Sequence, residues 1–175
     1  MNAAPSLMIA LSLGLAGCAA PSHGQRSARL FRDSIVSKHG FVLTGSDRLS
    51  TPGTFKPPVE ISVVAKTDST NLRLAYAADQ VIFNWEIDPQ QLRVDGGPAN
   101  GLHKPGAGNI VIGEYVTIRW VVTPRHQSIY VGDELRFEHE GDYSQLNKCL
   151  SIFSGAGSTV TVKSLRVKQL AEPLK

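Results

Sequence analysis

Apolar and polar residues alternate with a period of two along most of this chain, and no segment of helical length carries an apolar stripe at helical spacing. The alternation predicts strands at 59–67, 71–77, 81–87, 91–95, 115–123, 127–131, 135–139, 148–153 and 158–168, with shorter ones around 29–36 and 41–43. The gaps between them are mostly of hairpin length, and 16 Gly and 10 Pro punctuate the chain. Many short strands joined this way predict an all-β fold, an antiparallel two-sheet β-sandwich of jelly-roll type.

Two hairpins can be registered from the pattern. A turn at Ala78-Asp79 sets Tyr76 opposite Val81, Leu74 opposite Phe83 and Leu72 opposite Trp85, all on one apolar face. The other face then pairs Asn71 with Glu86 and Arg73 with Asn84. In the second hairpin a three-residue loop, Gly132-Asp133-Glu134, sets Val131 against Leu135 and Ile129 against Phe137. A two-residue Gly-Asp turn would set Ile129 against Arg136 and is rejected for that reason. Along the last strand the apolar phase runs through Val160 and Val162, then shifts to Leu165 and Val167, which predicts a bulge near Lys163-Ser164. By the same phases Trp85 and Trp120 are expected in the core.

The N-terminal segment reads differently. Residues 7–16 (LMIALSLGLA) are uncharged and apolar-rich. They are too short to span a bilayer, which needs about 20 residues, and they suit the central region of a signal peptide. The run ends in Leu15-Ala16-Gly17-Cys18, which resembles the lipobox of bacterial lipoproteins. That resemblance implies cleavage before Cys18 and lipidation of its sulfur, with palmitate-type acyl chains. Ala19 follows where an inner-membrane retention signal would place Asp, which implies the cell outer membrane in an organism that has one. Residues 19–27 (AAPSHGQRS) are small and polar and read as a tether. The expected organisation is a signal peptide over 1–17, a lipidated tether over 18–27 and a single sandwich domain over 28–175.

Composition narrows the function classes. Cleavage after residue 17 of 175 leaves 158 residues, enough for one domain that buries about 70% of its unfolded surface. The formal charge of +3 is unchanged by that cleavage, because residues 1–17 carry no charged side chain. With no basic cluster and no recognition helix, nucleic acid is not expected as a partner. No second apolar run approaches membrane-spanning length, so the lipid is the expected membrane attachment. Of the two cysteines, Cys149 lies in the apolar run CLSIF and is expected as a buried, inert thiol. The five His are scattered away from metal-ligand spacing, and no phosphate loop or dinucleotide fingerprint occurs. No cofactor or metal is expected.

The stretch from Glu114 to Glu138 (EYVTIRWVVTPRHQSIYVGDELRFE) resembles the hairpins of concanavalin A-like lectin/glucanase domains, in which a long strand with an inward Trp precedes a Tyr-Val-Asp-Gly turn. Here Gly132 and Asp133 stand in the opposite order. The closing strand STVTVKSLRVK is similar to that of bacterial members, including laminin-G-like and 3-keto-disaccharide hydrolase domains. The resemblance spans about Phe55 to Lys168 and implies a two-sheet jelly roll.

Candidate chemistry falls in two places. Glu86-Ile87-Asp88-Pro89-Gln90 resembles the acidic catalytic strand of laminarinase-type glucanases, but the third carboxylate position holds Gln. An amide cannot donate and recover a proton, so this string is not expected to be catalytic. The outward residues of the predicted strands offer a binding site instead. Arg73, Asn84, Glu86, Arg119 and Tyr130 make one candidate site if their strands neighbour one another on a concave sheet; Tyr130 would then stack on a sugar while Arg73, Arg119 and Glu86 hydrogen-bond its hydroxyls. The loop Asp95 to Gly108 (DGGPANGLHKPGAG), with His103 and Lys104, is expected to form a wall of that groove. The resemblances together imply an envelope-anchored lipoprotein whose sandwich binds a glycan or envelope polysaccharide without catalysis. A hydrolase of modified sugars, as in the 3-keto-disaccharide hydrolases, and a structural protein–protein interaction module are the alternatives.

Overall fold

The computed structural model describes residues 28–30 and 33–171. Among them every regular element is a strand. In chain order these are β1 (Ala28–Leu30), β2 (Ser34–Thr44), β3 (Arg48–Ser50), β4 (Val59–Thr67), β5 (Leu72–Ala75) and β6 (Gln80–Phe83). They continue as β7 (Arg93–Asp95), β8 (Val116–Val122), β9 (His126–Val131), β10 (Glu134–Glu140), β11 (Ser151–Phe153) and β12 (Thr159–Gln169). A seven-stranded sheet runs β1-β2-β12-β4-β8-β9-β10, and a five-stranded sheet runs β3-β11-β5-β6-β7. All pairings are antiparallel. The all-β, two-sheet sandwich read from the alternation is the observed architecture.

The core forms where the inner faces of the two sheets meet. β4 shows why the pattern was readable: Val59, Ile61, Val63 and Ala65 are fully buried, while Glu60, Ser62, Val64 and Lys66 between them are half-exposed. Trp120 of β8 lies between Ile61 and Ile129 in register and is fully buried. Its ring meets Tyr76, beside the other sheet, edge-on at 6.3 Å, so one aromatic contact joins the layers. The bulge expected in the last strand is present, with β12 shifting register between Val162 and Ser164 against both neighbours.

The first hairpin keeps the expected phase, the second keeps it only at Ile129 and Phe137 while Leu135 turns outward, and both differ in turn. In the first, Leu72 faces Phe83 and Leu74 faces Val81, two residues off the predicted register. The turn is wider than Ala78-Asp79 because Tyr76, Ala77 and Ala78 all fold into the core, with Tyr76 N–H donating to Ala78 O at 3.1 Å. A two-residue slip preserves faces, so Arg73 still points outward. In the second, Glu134 pairs with Val131 and Leu135 with Tyr130, which is the two-residue Gly132-Asp133 turn that the pattern seemed to forbid. A bulge at Arg136 then brings Phe137 opposite Ile129. Arg136, at the bulge, is drawn onto the loop before β8. Its guanidinium donates to the carbonyls of Ala107 and Asn109 at 3.3 and 3.2 Å. Cys149 is a further correction, being half-buried and disulfide-bonded rather than a buried free thiol.

Candidate functional site

Parity fixes what the five-stranded sheet shows to solvent. Leu49, Leu72, Leu74, Val81, Phe83, Val94 and Ile152 all point into the core, so their neighbours along each strand point out. The cross-strand pairs Arg48–Phe153, Phe153–Arg73, Arg73–Ile82 and Ile82–Arg93 align these residues in one row across all five strands. Three arginines thus alternate with two apolar side chains. Ile82 lies outside the core cluster yet is only 1% exposed, so the flanking side chains close over it.

A network ties this row together. The Arg93 guanidinium lies 4.5 Å from the centre of the Trp85 ring and donates from Nε to Asp95 at 2.7 Å. Gln80 Nε2 donates to the same carboxylate at 2.7 Å, and His103 Nε2 lies 3.2 Å from its other oxygen. Burial raises the Asp95 pKa, but the hydrogen bonds from Gln80, Arg93 and His103 outweigh it and hold the carboxyl below the ordinary range. Arg73 donates to Gln80 Oε1 at 3.3 Å and Asn71 Oδ1 at 3.0 Å, and lies 3.7 Å from Glu86. Arg48 stacks on the Phe153 ring at 4.0 Å.

The Asp95–Gly108 loop completes the edge. Lys104 bridges to Leu92, just before β7 begins, and His103 reaches the Trp85 ring at 6.2 Å. Gly97 lets the loop press on the neighbouring turn: its φ is +67°, and a Cβ there would strike the Ala77 carbonyl. The loop and His103 are therefore packed against this sheet. At the opposite end of the face, Arg48, Ala75, Asp79, Lys148 and Ser151 line a cavity of about 400 Å³. A wider cleft of about 860 Å³ lies between loops around Lys56, Pro57, Asn147 and Gln169, where Gln169 already bonds the Lys56 and Pro58 carbonyls.

No protein family and no curated protein matches its sequence. Solved structures do match. A galectin of Caenorhabditis elegans, LEC-6, superposes with a TM-score of 0.55 at 13% identity, covering 79% of this chain and 98% of that one. A β-glucanase of Bacillus licheniformis gives 0.56 at 12% identity, covering 87% and 91%. The exoplasmic/lumenal domain of VIP36 gives 0.56 at 9% identity, covering 81% and 84%. The fold is the concanavalin A-like jelly roll. At such identities the likeness concerns the fold alone, and a fold shared by lectins and glucanases does not choose between binding and hydrolysis.

Within this concanavalin A-like sandwich the five residues expected to form one site do not meet. Arg73 and Glu86 lie together at the five-stranded sheet. Arg119 and Tyr130 pair with each other across β8 and β9, on the outer face of the seven-stranded sheet. There the Arg119 guanidinium covers the Tyr130 ring at 3.8 Å and lies 3.8 Å from Glu60. The two sets face opposite sides of the molecule. Asn84 belongs to neither: it is 2% exposed, with φ at +48°, and its side chain bonds both backbone groups of Ile110. Cys18 lies outside the described residues.

The same left-handed residue moves Trp85. β6 ends at Phe83, so Trp85 leaves the core phase and stands half-exposed against Arg93. Glu86 and Asp88 follow in a turn, where Asp88 accepts from Gln90 N–H. Their spacing of two residues therefore does not place them side by side on a strand. Gln80, Asp95, Arg48 and Phe153 were not singled out from sequence; the outward phase of 93–95 would have indicated Asp95 beside Arg93.

Proposed function

We propose that the outer face of the five-stranded sheet binds carbohydrate without catalysis. The observation that carries this reading is the set of Trp85, Arg93, Asp95, Gln80 and His103, in which a half-exposed indole stands beside fixed, forked polar groups. Sugar rings offer one apolar C–H face and a rim of hydroxyls, so an aromatic platform flanked by planar donors and acceptors suits them. Lectin and glycosidase structures among the fold's relatives support the same class of ligand. Trp85→Ala should weaken binding of a glycan found on an array by at least roughly tenfold, about 1.4 kcal/mol, with unchanged far-UV circular dichroism. Tyr130→Ala, on the opposite sheet, should bind as wild type does. If Tyr130→Ala abolishes binding and Trp85→Ala does not, the site is on the other face. Turnover of the bound glycan would make the protein a hydrolase.

We further propose that Cys18 carries a lipid and anchors the sandwich in the cell envelope. The lipobox-like Leu15-Ala16-Gly17-Cys18 supports this. One sulfur cannot carry both a thioether-linked lipid and a disulfide, and Cys18 is the chain's other cysteine beside Cys149. In lipidated protein Cys149 is therefore either reduced or joined to another molecule's thiol. Cells fed an alkyne-tagged palmitate should label the wild type and not Cys18→Ala; equal labelling of both would refute lipidation at this residue.

A further inference from the structure

The row of outward residues on the five-stranded sheet has a second property. Its three arginines occupy alternate strands, β3, β5 and β7, with Phe153 and Ile82 between them. Strands lie about 4.8 Å apart, so successive guanidinium-bearing positions repeat at about 9.6 Å along a line perpendicular to the strands. The strand spacing is close to the length that one hexose adds to an extended chain. A polysaccharide laid across the strands would then meet an arginine position at every second ring, with the partly exposed Phe153 ring between Arg48 and Arg73.

The carboxylates on this face do not cancel that charge evenly. Asp95 is taken up by Arg93, Gln80 and His103. Glu86 stands 3.7 Å from Arg73 and is nearly half exposed, a loose contact that a ligand carboxylate can displace. Arg48 is exposed and rests on the Phe153 ring, and among the described residues no carboxylate makes an ion pair with it. Held against that ring, its guanidinium is pre-oriented and keeps its N–H donors for a ligand. Lys148, which lines the adjacent cavity, adds a further cation at the same end, 3.5 Å from an exposed Asp79.

We infer that the glycan taken by this face is an acidic polysaccharide, running across the strands with its anionic groups on Arg48, Arg73 and Arg93. The inference rests on the carbohydrate-binding reading above and narrows it to a class of ligand. A planar carboxylate is met by two parallel N–H donors of a guanidinium, which a neutral hydroxyl cannot match. Trp85, next to Arg93, stacks on a ring, and Arg48 reads charge at the far end.

Affinity electrophoresis of the purified protein in gels containing polygalacturonate, its carboxyl-reduced neutral form or dextran sulfate tests this. Polygalacturonate should retard the protein at least roughly tenfold more strongly, by dissociation constant, than the neutral form. Arg48→Gln, which removes the charge and no tertiary hydrogen bond, should erase several-fold of that preference. It should leave any Trp85-dependent binding of the neutral polymer intact. Stronger retardation by dextran sulfate than by polygalacturonate, with the same dependence on Arg48, would support the acidic class and identify sulfate as the group read. Equal retardation by neutral and acidic polymers would overturn the acidic-ligand inference and leave carbohydrate binding standing. Acidic binding indifferent to both Arg48→Gln and Trp85→Ala would also overturn it, placing the charge recognition elsewhere on the surface. No retardation by any polymer would count against both readings.

Discussion

Trp120→Ala should destabilise the protein by about 4–8 kcal/mol, a large part of the roughly 5–15 kcal/mol that holds a typical domain folded. The first contribution is volume. The indole is fully buried between Ile61 and Ile129 and meets Tyr76 edge-on from the opposite sheet, so its removal leaves a cavity where the two layers join. Truncating a buried aromatic costs about 3–5 kcal/mol, because the surroundings collapse only in part. The second contribution is polar. Trp120 Nε1 donates to Gln127 Oε1 at 2.9 Å, and Gln127 is itself fully buried. Losing the donor strands that oxygen away from water, at about 1–3 kcal/mol. Trp120→Phe separates the two contributions, since it keeps most of the apolar contact and loses the N–H. Urea denaturation of both variants should rank Ala well below Phe, and Phe below wild type. Equal losses in the two would show that the hydrogen bond, not the volume, dominates.

How much of this was legible in the sequence depends on the range of the interaction that decides it. β4 was readable outright, because its alternate residues are buried on a single face from Val59 to Thr67 and nothing interrupts them. The phases of the first hairpin's strands and of Ile129 and Phe137 in the second were readable for the same reason. Their registers were not: one turn is widened by burial of Tyr76, Ala77 and Ala78, and the other is corrected by a bulge at Arg136, whose side chain holds the loop carbonyls of Ala107 and Asn109. Local pattern carries no trace of either tertiary contact. In the site, Arg73 and Glu86 were readable because both sit within the first hairpin. That Arg119 and Tyr130 neighbour each other was readable too, since β8 and β9 are adjacent in sequence. Which sheet each pair joins was not. It depends on β5 pairing with β11 and β8 with β4, choices made by segments far apart in the chain. The Arg48 end is the extreme case. β3 is three residues long and is held by β11, where Ser50 and Ser151 hydroxyls hydrogen-bond at 2.7 Å across a separation of 101 residues. An arginine ladder spread over five strands exists only once those strands have met.

Asn84 shows how a residue that looks like a ligand group in sequence can be spent on the fold, and its substitution should be costly for that reason. Its φ of +48° lies in the left-handed region, which Asn tolerates better than most residues. That conformation turns the chain out of β6 and aims the side-chain amide at the segment before β8. There Nδ2 donates to Ile110 O at 2.9 Å and Oδ1 accepts from Ile110 N–H at 2.8 Å, in a site where both residues are almost wholly buried. Asn84→Ala leaves both Ile110 groups unpaired and keeps a Cβ in the left-handed region without the amide that makes Asn tolerant of it, at a combined cost of about 2–4 kcal/mol. Asn84→Gly loses the same hydrogen bonds but relieves the strain, so it should be less destabilising than Ala by about 1 kcal/mol. Thermal unfolding of the three proteins, read beside glycan binding at a temperature where all are folded, separates a structural role from a ligand-binding one. The structure requires both variants to be less stable, in the order Ala below Gly, and to bind as the wild type does once folded. A variant of wild-type stability that no longer binds would return Asn84 to the binding site and require a different conformation of the segment from Phe83 to Glu86.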